Sequence, residues 1–462
     1  MSEQLFNLEA DKPHEACGVF GVYAPGADVV SLAYLGAEAL QHRGQDAAGF
    51  MVAIDSEGML GVKDTGLVSE VITNNVIEGF GGAGRIAISH TRYGTTEGAG
   101  PESSQPIFVF DNGRPFALAH NGHIELSFKH AYSTDSEWFA HEIADTWQEG
   151  EEIEEAIERV AKRTDGAYSI VIMTDDKLIG LRDRNGFRPL ELGVLKENQG
   201  YVIASETAAI EQVDATHDRE VQPGEIVVID SCGVKSDQFA ESDPKLCAFE
   251  YIYFARPSSE ISGQGINEAR KNMGKMLADQ NQHKLDLVIG VPDSGMPAAL
   301  GFAEASGVPY DVGLEKNRYI TRTFIKNNQV LRENAVRLKL TPLQEVISGK
   351  RIAVVDDSIV RGTTTRALAS MLYEAGAAEV HLKIASPPYR WPCFYGMDTG
   401  DPTELLANRK DHTGMEEEIG VHSLDFLTID HLQQSVGLPM GKLCMACLDG
   451  NYPIEVPVQF NI

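Results

Sequence analysis

One stretch constrains the fold of this chain more than any other. RIAVVDD (351–357) is a short unbroken apolar run that ends in two carboxylates, and SIVRGTTT (358–365) is a Gly/Thr-rich turn. TTTRALASMLYEAG (363–376) then carries Ala367, Leu368, Met371, Leu372 and Ala375 on one face, and VHLKIA (380–385) follows. A buried strand, a turn, an amphipathic helix stopping at Gly376 and another strand make a βαβ unit, which belongs in a parallel sheet. LDLVIGVP (285–292) has the same acid-capped apolar pattern and reads as another buried parallel strand.

The first half has another rhythm. GVFGVY (18–23), GFMVAI (49–54), RIAISH (85–90) and FALAH (116–120) read as strands, with a helix over roughly 28–41. In 151–163, Ile153, Ala156, Ile157 and Val160 repeat at helical spacing. YSIVIMTDDKLIGLRD (168–183) reads as two strands around a Thr-Asp-Asp turn, and EIVVID (225–230) closes this half. The polar stretch DSCGVKSDQFAESDPK (230–245) is the expected boundary, dividing the chain into 17–240 and 241–462. A domain takes roughly 100–200 residues, so 462 residues allow two to four, and this boundary gives two.

Charge excludes one class of function. Lys and Arg number 39 against 68 Asp and Glu, a net charge of -29. A nucleic-acid partner would require a dense basic field, so none is expected. An anionic substrate must instead be met by backbone N–H groups, a few basic side chains and a metal ion. No apolar run reaches the ~18–20 residues of a membrane helix, and the acidic opening MSEQLFNLEADKPHEA has no apolar core like that of a secretory signal. A cytoplasmic location is therefore expected, where six cysteines are not a disulfide framework.

The turn after the two carboxylates has a physical use. Backbone N–H groups at a helix start cradle phosphate, Gly362 lets the backbone approach, and the Thr363 and Thr364 hydroxyls add donors. Asp356 and Asp357 suit ribose hydroxyls or a Mg2+ ion carrying diphosphate oxygens. Paired acids at strand ends are common; the complete order strand, two acids, Gly/Thr turn and helix is not. VVDDSIVRGTTTR resembles the diphosphate-sugar motif of type I phosphoribosyltransferases, in the form found in the amidophosphoribosyltransferase family. VPDSGMPAALGF (291–302) and EKNRYITRTFI (315–325) resemble two further segments of that family. The resemblance implies Ser294, Asp356 and Asp357 around Mg2+. It places Ser358, Arg361, Gly362, Thr363 and Thr364 on the phosphoribosyl substrate, and Lys316, Arg318 and Arg322 in a loop that closes over it and expels water.

An isolated intracellular cysteine is ordinarily a small buried hydrophobe. Cys17, however, opens CGVFGVY and is followed by QHRGQDAAG (41–49), HTRYGT (90–95), HNGHI (120–124) and STDSE (133–137). Together these resemble class II glutamine amidotransferases, whose N-terminal cysteine is the nucleophile and whose α-amino group, with a pKa near ~7.7–8.0, is the base. Sixteen residues precede Cys17, so residues 1–16 are expected to be a propeptide cleaved after Ala16. The resemblance implies Asn121 and Gly122 as the oxyanion hole, with Arg92 on the glutamine α-carboxylate and Asp135 on its α-ammonium. Locally, Arg92 also suits a surface ion pair, and Asp135 the N-cap of a helix over 136–147.

Four other cysteines, Cys247, Cys393, Cys444 and Cys447, have the makings of a zinc or iron–sulfur site, spacing does not choose between them, and the CxxC of Cys444 and Cys447 alone also suits a redox pair. PKLCAFEYIYFARP, PCFYGMDTG and CMACLDGNYP resemble cysteine-bearing segments of the cluster-containing branch of the amidophosphoribosyltransferases. That resemblance implies a structural [4Fe–4S] cluster tying the chain's end to the second domain. Cys232 reads as an inert linker thiol.

The resemblance runs from Cys17 to about Tyr452. It implies an αββα N-terminal-nucleophile (Ntn hydrolase) glutaminase domain followed by an α/β type I phosphoribosyltransferase domain. The implied reaction joins glutamine and 5-phosphoribosyl 1-diphosphate to give 5-phosphoribosylamine, glutamate and diphosphate, the opening step of purine synthesis. By the same resemblance a homotetramer is expected, with Tyr93 and Tyr253 as walls of an internal ammonia path. A glutamine amidotransferase with another acceptor would not need VVDDSIVRGTTT; a non-catalytic sensor of the sugar diphosphate would not need Cys17 or HNG.

Overall fold

The computed structural model describes residues 17–54, 58–82, 84–93, 100–111, 113–124, 132–319, 335–397 and 402–456. The expected propeptide 1–16 and Arg322 lie outside the described residues. Thirteen strands build the first half: β1 (Gly18–Tyr23), β2 (Ala47–Ile54), β3 (Gly58–Thr65), β4 (Ile86–Arg92), β5 (Ile107–Asp111), β6 (Arg114–Ile124), β7 (Gly166–Met173), β8 (Leu178–Arg182), β9 (Glu191–Leu195), β10 (Tyr201–Ala204), β11 (Ala215–Glu220), β12 (Glu225–Asp230) and β13 (Gly233–Gln238). They form two antiparallel sheets, in the orders β11-β9-β10-β1-β4-β2-β3 and β13-β12-β8-β7-β6-β5.

The apolar content of β1 explains why two sheets must stack. Its side chains alternate, yet both faces are apolar. Val19 and Tyr23 pack with Ile86, Ala117, Ala119 and Val171 between the sheets. Phe20 and Val22 pack with Val29, Val30, Ala33 and Ala37 of the helix Val29–Ala39. A strand buried on both sides needs a layer on each. The second sheet is covered likewise by the helices Asp135–Thr146 and Ile153–Ala161, the latter through Ile153, Ala156, Ile157 and Val160 as its spacing predicts. The result is an αββα sandwich.

Two expectations are corrected here. EIVVID does not close this half: β13 lies inside the polar stretch 230–245 and pairs with β12 from Glu225↔Gln238 to Asp230↔Gly233. It is a largely exposed edge strand, so it carries no apolar pattern to betray it. FALAH is only the middle of β6, which runs on through HNGHI and stays paired with β7.

The second half holds β14 (Leu246–Cys247), β15 (Glu260–Ile261), β16 (Gln264–Gly265), β17 (Leu287–Gly290), β18 (Leu314–Lys316), β19 (Leu340–Pro342), β20 (Arg351–Asp356), β21 (Glu379–Ile384), β22 (Ser423–Phe426) and β23 (Leu443–Cys444). β17, β20, β21 and β22 form a parallel sheet in that order. Helices Ile266–Gln280 and Met296–Ser306 lie in the core on one face; Thr363–Glu374 and His412–Ile419 lie on the other. Among the described residues no helix is long and apolar enough to cross a membrane.

Candidate active sites

Cys17 immediately precedes β1, the central strand of the first sheet, and is half-buried. Gly18 pairs with Thr91 of β4, which brings Arg92, the end of that strand, alongside it. Asn121 and Gly122 stand opposite, on β6 of the facing sheet. Asn121 is buried, and its Nδ2 has no hydrogen-bond partner. A buried amide donor left unpaired costs on the order of 1–3 kcal/mol, which an incoming acceptor would offset. Gly122 has φ +143, and a Cβ there would lie 2.0 Å from the Ala167 carbonyl oxygen, so only glycine fits.

Asp135 is not the cap of its helix. The helix begins at Asp135 itself, and Thr134 is the N-cap, its hydroxyl accepting from Glu137 N–H at 3.1 Å. That leaves Asp135 to face the other way: Oδ2 accepts from Ile124 N–H at 2.9 Å and Oδ1 from Ser136 N–H at 2.8 Å. Burial pushes its carboxyl up, but the His120 and His123 imidazoles and these N–H groups outweigh it and hold it below the usual carboxylate range. Arg92 is half-buried at the end of β4 and donates from Nη1 to the Ser103 hydroxyl.

A buried charge network behind Cys17 went unread in the sequence. Arg43, from QHRG, donates from Nε to the Cys17 carbonyl oxygen (3.1 Å). Its Nη1 reaches Glu206 (2.6 Å), and Nη1 and Nη2 reach the two oxygens of Glu250 (3.0 and 2.8 Å). Glu206 also accepts from Ser259 Oγ (2.6 Å) and Arg256 N–H (3.0 Å), and lies 2.8 Å from His42 Nε2. Burial opposes the charge on Arg43, yet Glu250 and Glu206 raise its pKa above the ordinary value. Against burial, His42 and Arg43 hold Glu206 well below the usual range. A lone charge inside an apolar run, such as the Glu in CAFEYIYF, was the available signal, because a buried charge needs a partner.

At the C-terminal end of the parallel sheet, Asp356 ends β20, and Asp357 and Ser358 follow, all buried. Ser358 Oγ donates to Asp357 Oδ1 (2.6 Å), and Ser294, from the loop after β17, donates to Asp357 Oδ2. Gly362, at φ +83, is the N-cap of the helix Thr363–Glu374. Arg361 pairs with Glu404 at 2.8 Å, and Lys316 pairs with Asp293. Arg318 is exposed in the turn after β18. Two carboxylates and a hydroxyl are hard oxygen donors of the kind that suits Mg2+. Tyr93 is half-buried beside Arg92; Tyr253 is half-buried against the second-half core.

The four cysteines meet at one junction. β14 and β23 pair in parallel with Cys247 opposite Cys444. The Cys447 carbonyl accepts from Arg390 and Trp391 N–H, both at 3.0 Å, which draws in Cys393. Cys247, Cys444 and Cys447 are buried and outside any disulfide, and Cys393 is half-buried. Burial pushes Cys247 up to about 12, against the Arg188 guanidinium; burial also holds Cys444 and Cys447 well above the ordinary value, with the neighbouring thiols adding. Among the described residues no three His, Cys, Asp or Glu side chains converge closely enough to enclose an ion. The thiols are therefore gathered rather than closed round a centre, and as a soft all-sulfur set they fit an iron–sulfur or zinc site. Cys232 is exposed in the β12–β13 turn, its N–H donating to Asp230.

Comparison with known proteins adds a second line. Residues 93–212 match the glutamine amidotransferase domain family. The chain is 46% identical to the amidophosphoribosyltransferase of Synechococcus elongatus, across 98% of this chain and 94% of that one. It is 43% identical to that of Bacillus subtilis, across 96% and 95%. Among solved structures, it is similar to the allosteric regulatory enzyme of purine biosynthesis (TM-score 0.88, 42% identity, 96% and 97% coverage). It is also similar to the B. subtilis glutamine phosphoribosylpyrophosphate amidotransferase complexed with ADP and GMP (0.87, 41%, 96% and 98%).

Proposed function

This chain belongs to the amidophosphoribosyltransferases, and on that premise we propose how its own residues divide the first reaction of purine synthesis between two centres. One frees ammonia from glutamine; the other places it on 5-phosphoribosyl 1-diphosphate. The observation that carries the first is the unpaired Asn121 Nδ2, buried on the strand that faces the Cys17 strand.

In this reading, loss of residues 1–16 frees the Cys17 amine, which takes the thiol proton. The sulfur attacks the glutamine amide carbon while Asn121 Nδ2 and Gly122 N–H receive the oxyanion. The C–N bond then breaks, the ammonium of Cys17 returns its proton to the leaving nitrogen, and water releases glutamate from the thioester. Arg92 and Asp135 hold the amino acid by its two charges. Asp135, kept ionised, suits an α-ammonium.

Ammonia passes inside the protein, past Tyr93 and Tyr253, because in bulk water at neutral pH it would become non-nucleophilic ammonium. At the second centre it attacks the sugar C1, and diphosphate leaves. Mg2+ would be held by Asp356, Asp357 and Ser294 and would neutralise charge on the departing diphosphate. Ser358, Gly362, Thr363 and Thr364 cradle phosphate, Arg361 adds a positive charge, and Lys316, Arg318 and Arg322 cover the site. The domains divide at 240/241. The four thiols hold a [4Fe–4S] cluster with a structural role, the enzyme works as a cytoplasmic homotetramer, and its partners are these two small molecules.

The test is product formation by Cys17→Ala. Loss of phosphoribosylamine synthesis from glutamine with retention from ammonia supports the division; retention of both rejects it.

A further inference from the structure

The segment CFYG (393–396) belongs to the thiol junction, yet its end lies against the proposed oxyanion hole. Gly396 is buried at φ +100, and a Cβ on it would lie 3.1 Å from the carbonyl carbon of Gly122 and 3.2 Å from its Cα. Gly122 is thus held between the β7 backbone on one side and Gly396 on the other. Arg188 fixes Gly396 in place: Nη2 donates to the Tyr395 carbonyl oxygen at 3.0 Å, and the Phe187 ring stacks on Tyr395 at 4.3 Å.

The other side of Arg188 leads to the nucleophile. Its Nη1 donates to Glu250 Oε1 at 3.2 Å, Glu250 takes both Nη atoms of Arg43, and Arg43 donates to the Cys17 carbonyl oxygen. Arg43, Arg188 and Glu250 are 2%, 1% and 0% exposed. Buried guanidinium–carboxylate bonds are directional and cannot be relaxed by water, so the chain has one arrangement. One end holds the residue that attacks and the other the backbone that receives the oxyanion.

From this geometry we propose that Arg188 is a positioning residue of the glutaminase centre, setting Gly122 against Cys17 through Glu250 and the Tyr395–Gly396 backbone. The second half of the chain therefore completes a centre whose reacting groups all come from the first. This rests on the reading of Asn121 and Gly122 as the oxyanion hole. A displacement of about 1 Å between nucleophile and oxyanion donors costs roughly a hundred-fold in rate, with little effect on ground-state binding.

The test uses the full-length, leader-processed enzyme with Arg188→Met, Arg188→Lys and Gly396→Ala. Gly396→Ala removes no charge, but at φ +100 it sets a methyl 3.0 Å from Arg188 Nη2 and 3.1 Å from the Gly122 carbonyl carbon, so it strains the same contact without leaving Glu250 short of a partner. Glutamine-dependent kcat is expected to fall about ten- to hundred-fold in Arg188→Met and Gly396→Ala. Glutamine KM and the ammonia-dependent rate should stay within about two-fold, and Arg188→Lys should recover part of the loss. Unchanged glutamine-dependent kcat, or a parallel fall of the glutamine- and ammonia-dependent rates, overturns the proposal. Asn121→Ala separates the two levels. If it too leaves glutamine hydrolysis intact, the oxyanion reading fails; if it alone impairs hydrolysis, only the linkage fails.

Discussion

The Ser294 hydroxyl donates to Asp357 Oδ2 across 63 residues of sequence. It ties the loop after β17 to the end of the neighbouring strand β20, at the open end of the parallel sheet where such folds take their ligands.

Asp357 already receives two hydroxyl donors, from Ser294 and Ser358, and so is oriented before any cation arrives. Asp357→Asn should raise the Mg2+ concentration needed for half-maximal rate, and Ser294→Ala should do the same more weakly. A shift of about ten- to hundred-fold is expected for groups that ligate a metal or orient its ligands. It should appear equally with glutamine and with ammonia as nitrogen source, since this site handles the acceptor. A Mg2+ titration that moves with glutamine alone would place Asp357 in the other centre.

Asn121 carries the clearest prediction at the glutaminase site. Its Nδ2 is buried and unpaired, so replacing it removes no ground-state hydrogen bond from the free enzyme. Asn121→Ala should therefore fold with native stability, while glutamine-dependent kcat drops about 10²–10³-fold, as when one oxyanion donor is deleted. Glutamine KM should barely change. Thermal melting together with steady-state kinetics checks both halves; a destabilised variant with native kcat would assign the amide to packing.

Glu191 and His217 face each other at 2.9 Å on neighbouring strands β9 and β11. Burial pushes the Glu191 carboxyl up to about 7, with the His217 bond pulling it back; the same bond raises His217. Both groups hold protons more tightly folded than unfolded, so together they make stability decline as pH rises from about 4.5 through 7. Glu191→Gln cannot ionise and should flatten that slope. Relative to the native chain, it should gain on the order of 2 kcal/mol between pH 5 and pH 8 in urea unfolding. A difference that stays constant with pH would mean Glu191 does not titrate in this range.

What the sequence disclosed follows from how far each signal reaches along the chain. The strand, acids, turn and helix of 351–376 are local, and the structure returns them within a residue or two. The same holds for the helix Ile153–Ala161, whose apolar spacing is self-contained. β13 escaped because an exposed edge strand buries nothing. Asp135 also suited the cap on local sequence because Thr134 and Asp135 are equally good capping types, and only their side-chain directions separate them. The Arg43–Glu250 pair was out of reach for a different reason: its members stand 207 residues apart, so although Glu250 is conspicuous in its apolar run, nothing local names its partner.

The thiol junction separates two metals by a simple observation. Cys247 and Cys444 sit opposite each other on paired strands, Cys447 is held by the Arg390 and Trp391 N–H groups, and Cys393 shares the apolar walls of both neighbouring clusters. Cys247, Cys444 and Cys447 are buried with no disulfide among them, and burying three thiols beside the half-buried Cys393 costs hydration that a bound metal would offset. Anaerobically purified enzyme should therefore absorb broadly in the visible, and Cys447→Ser should lose that absorption. Because the site joins β14 to the end of the chain, the same variant should melt lower by at least about 5 °C, the shift that 2 kcal/mol produces in a domain of this size. A colourless protein carrying stoichiometric zinc would keep the melting effect and reject the iron–sulfur assignment. A colourless, metal-free protein with an unchanged melting temperature in Cys447→Ser would reject any structural metal at this junction.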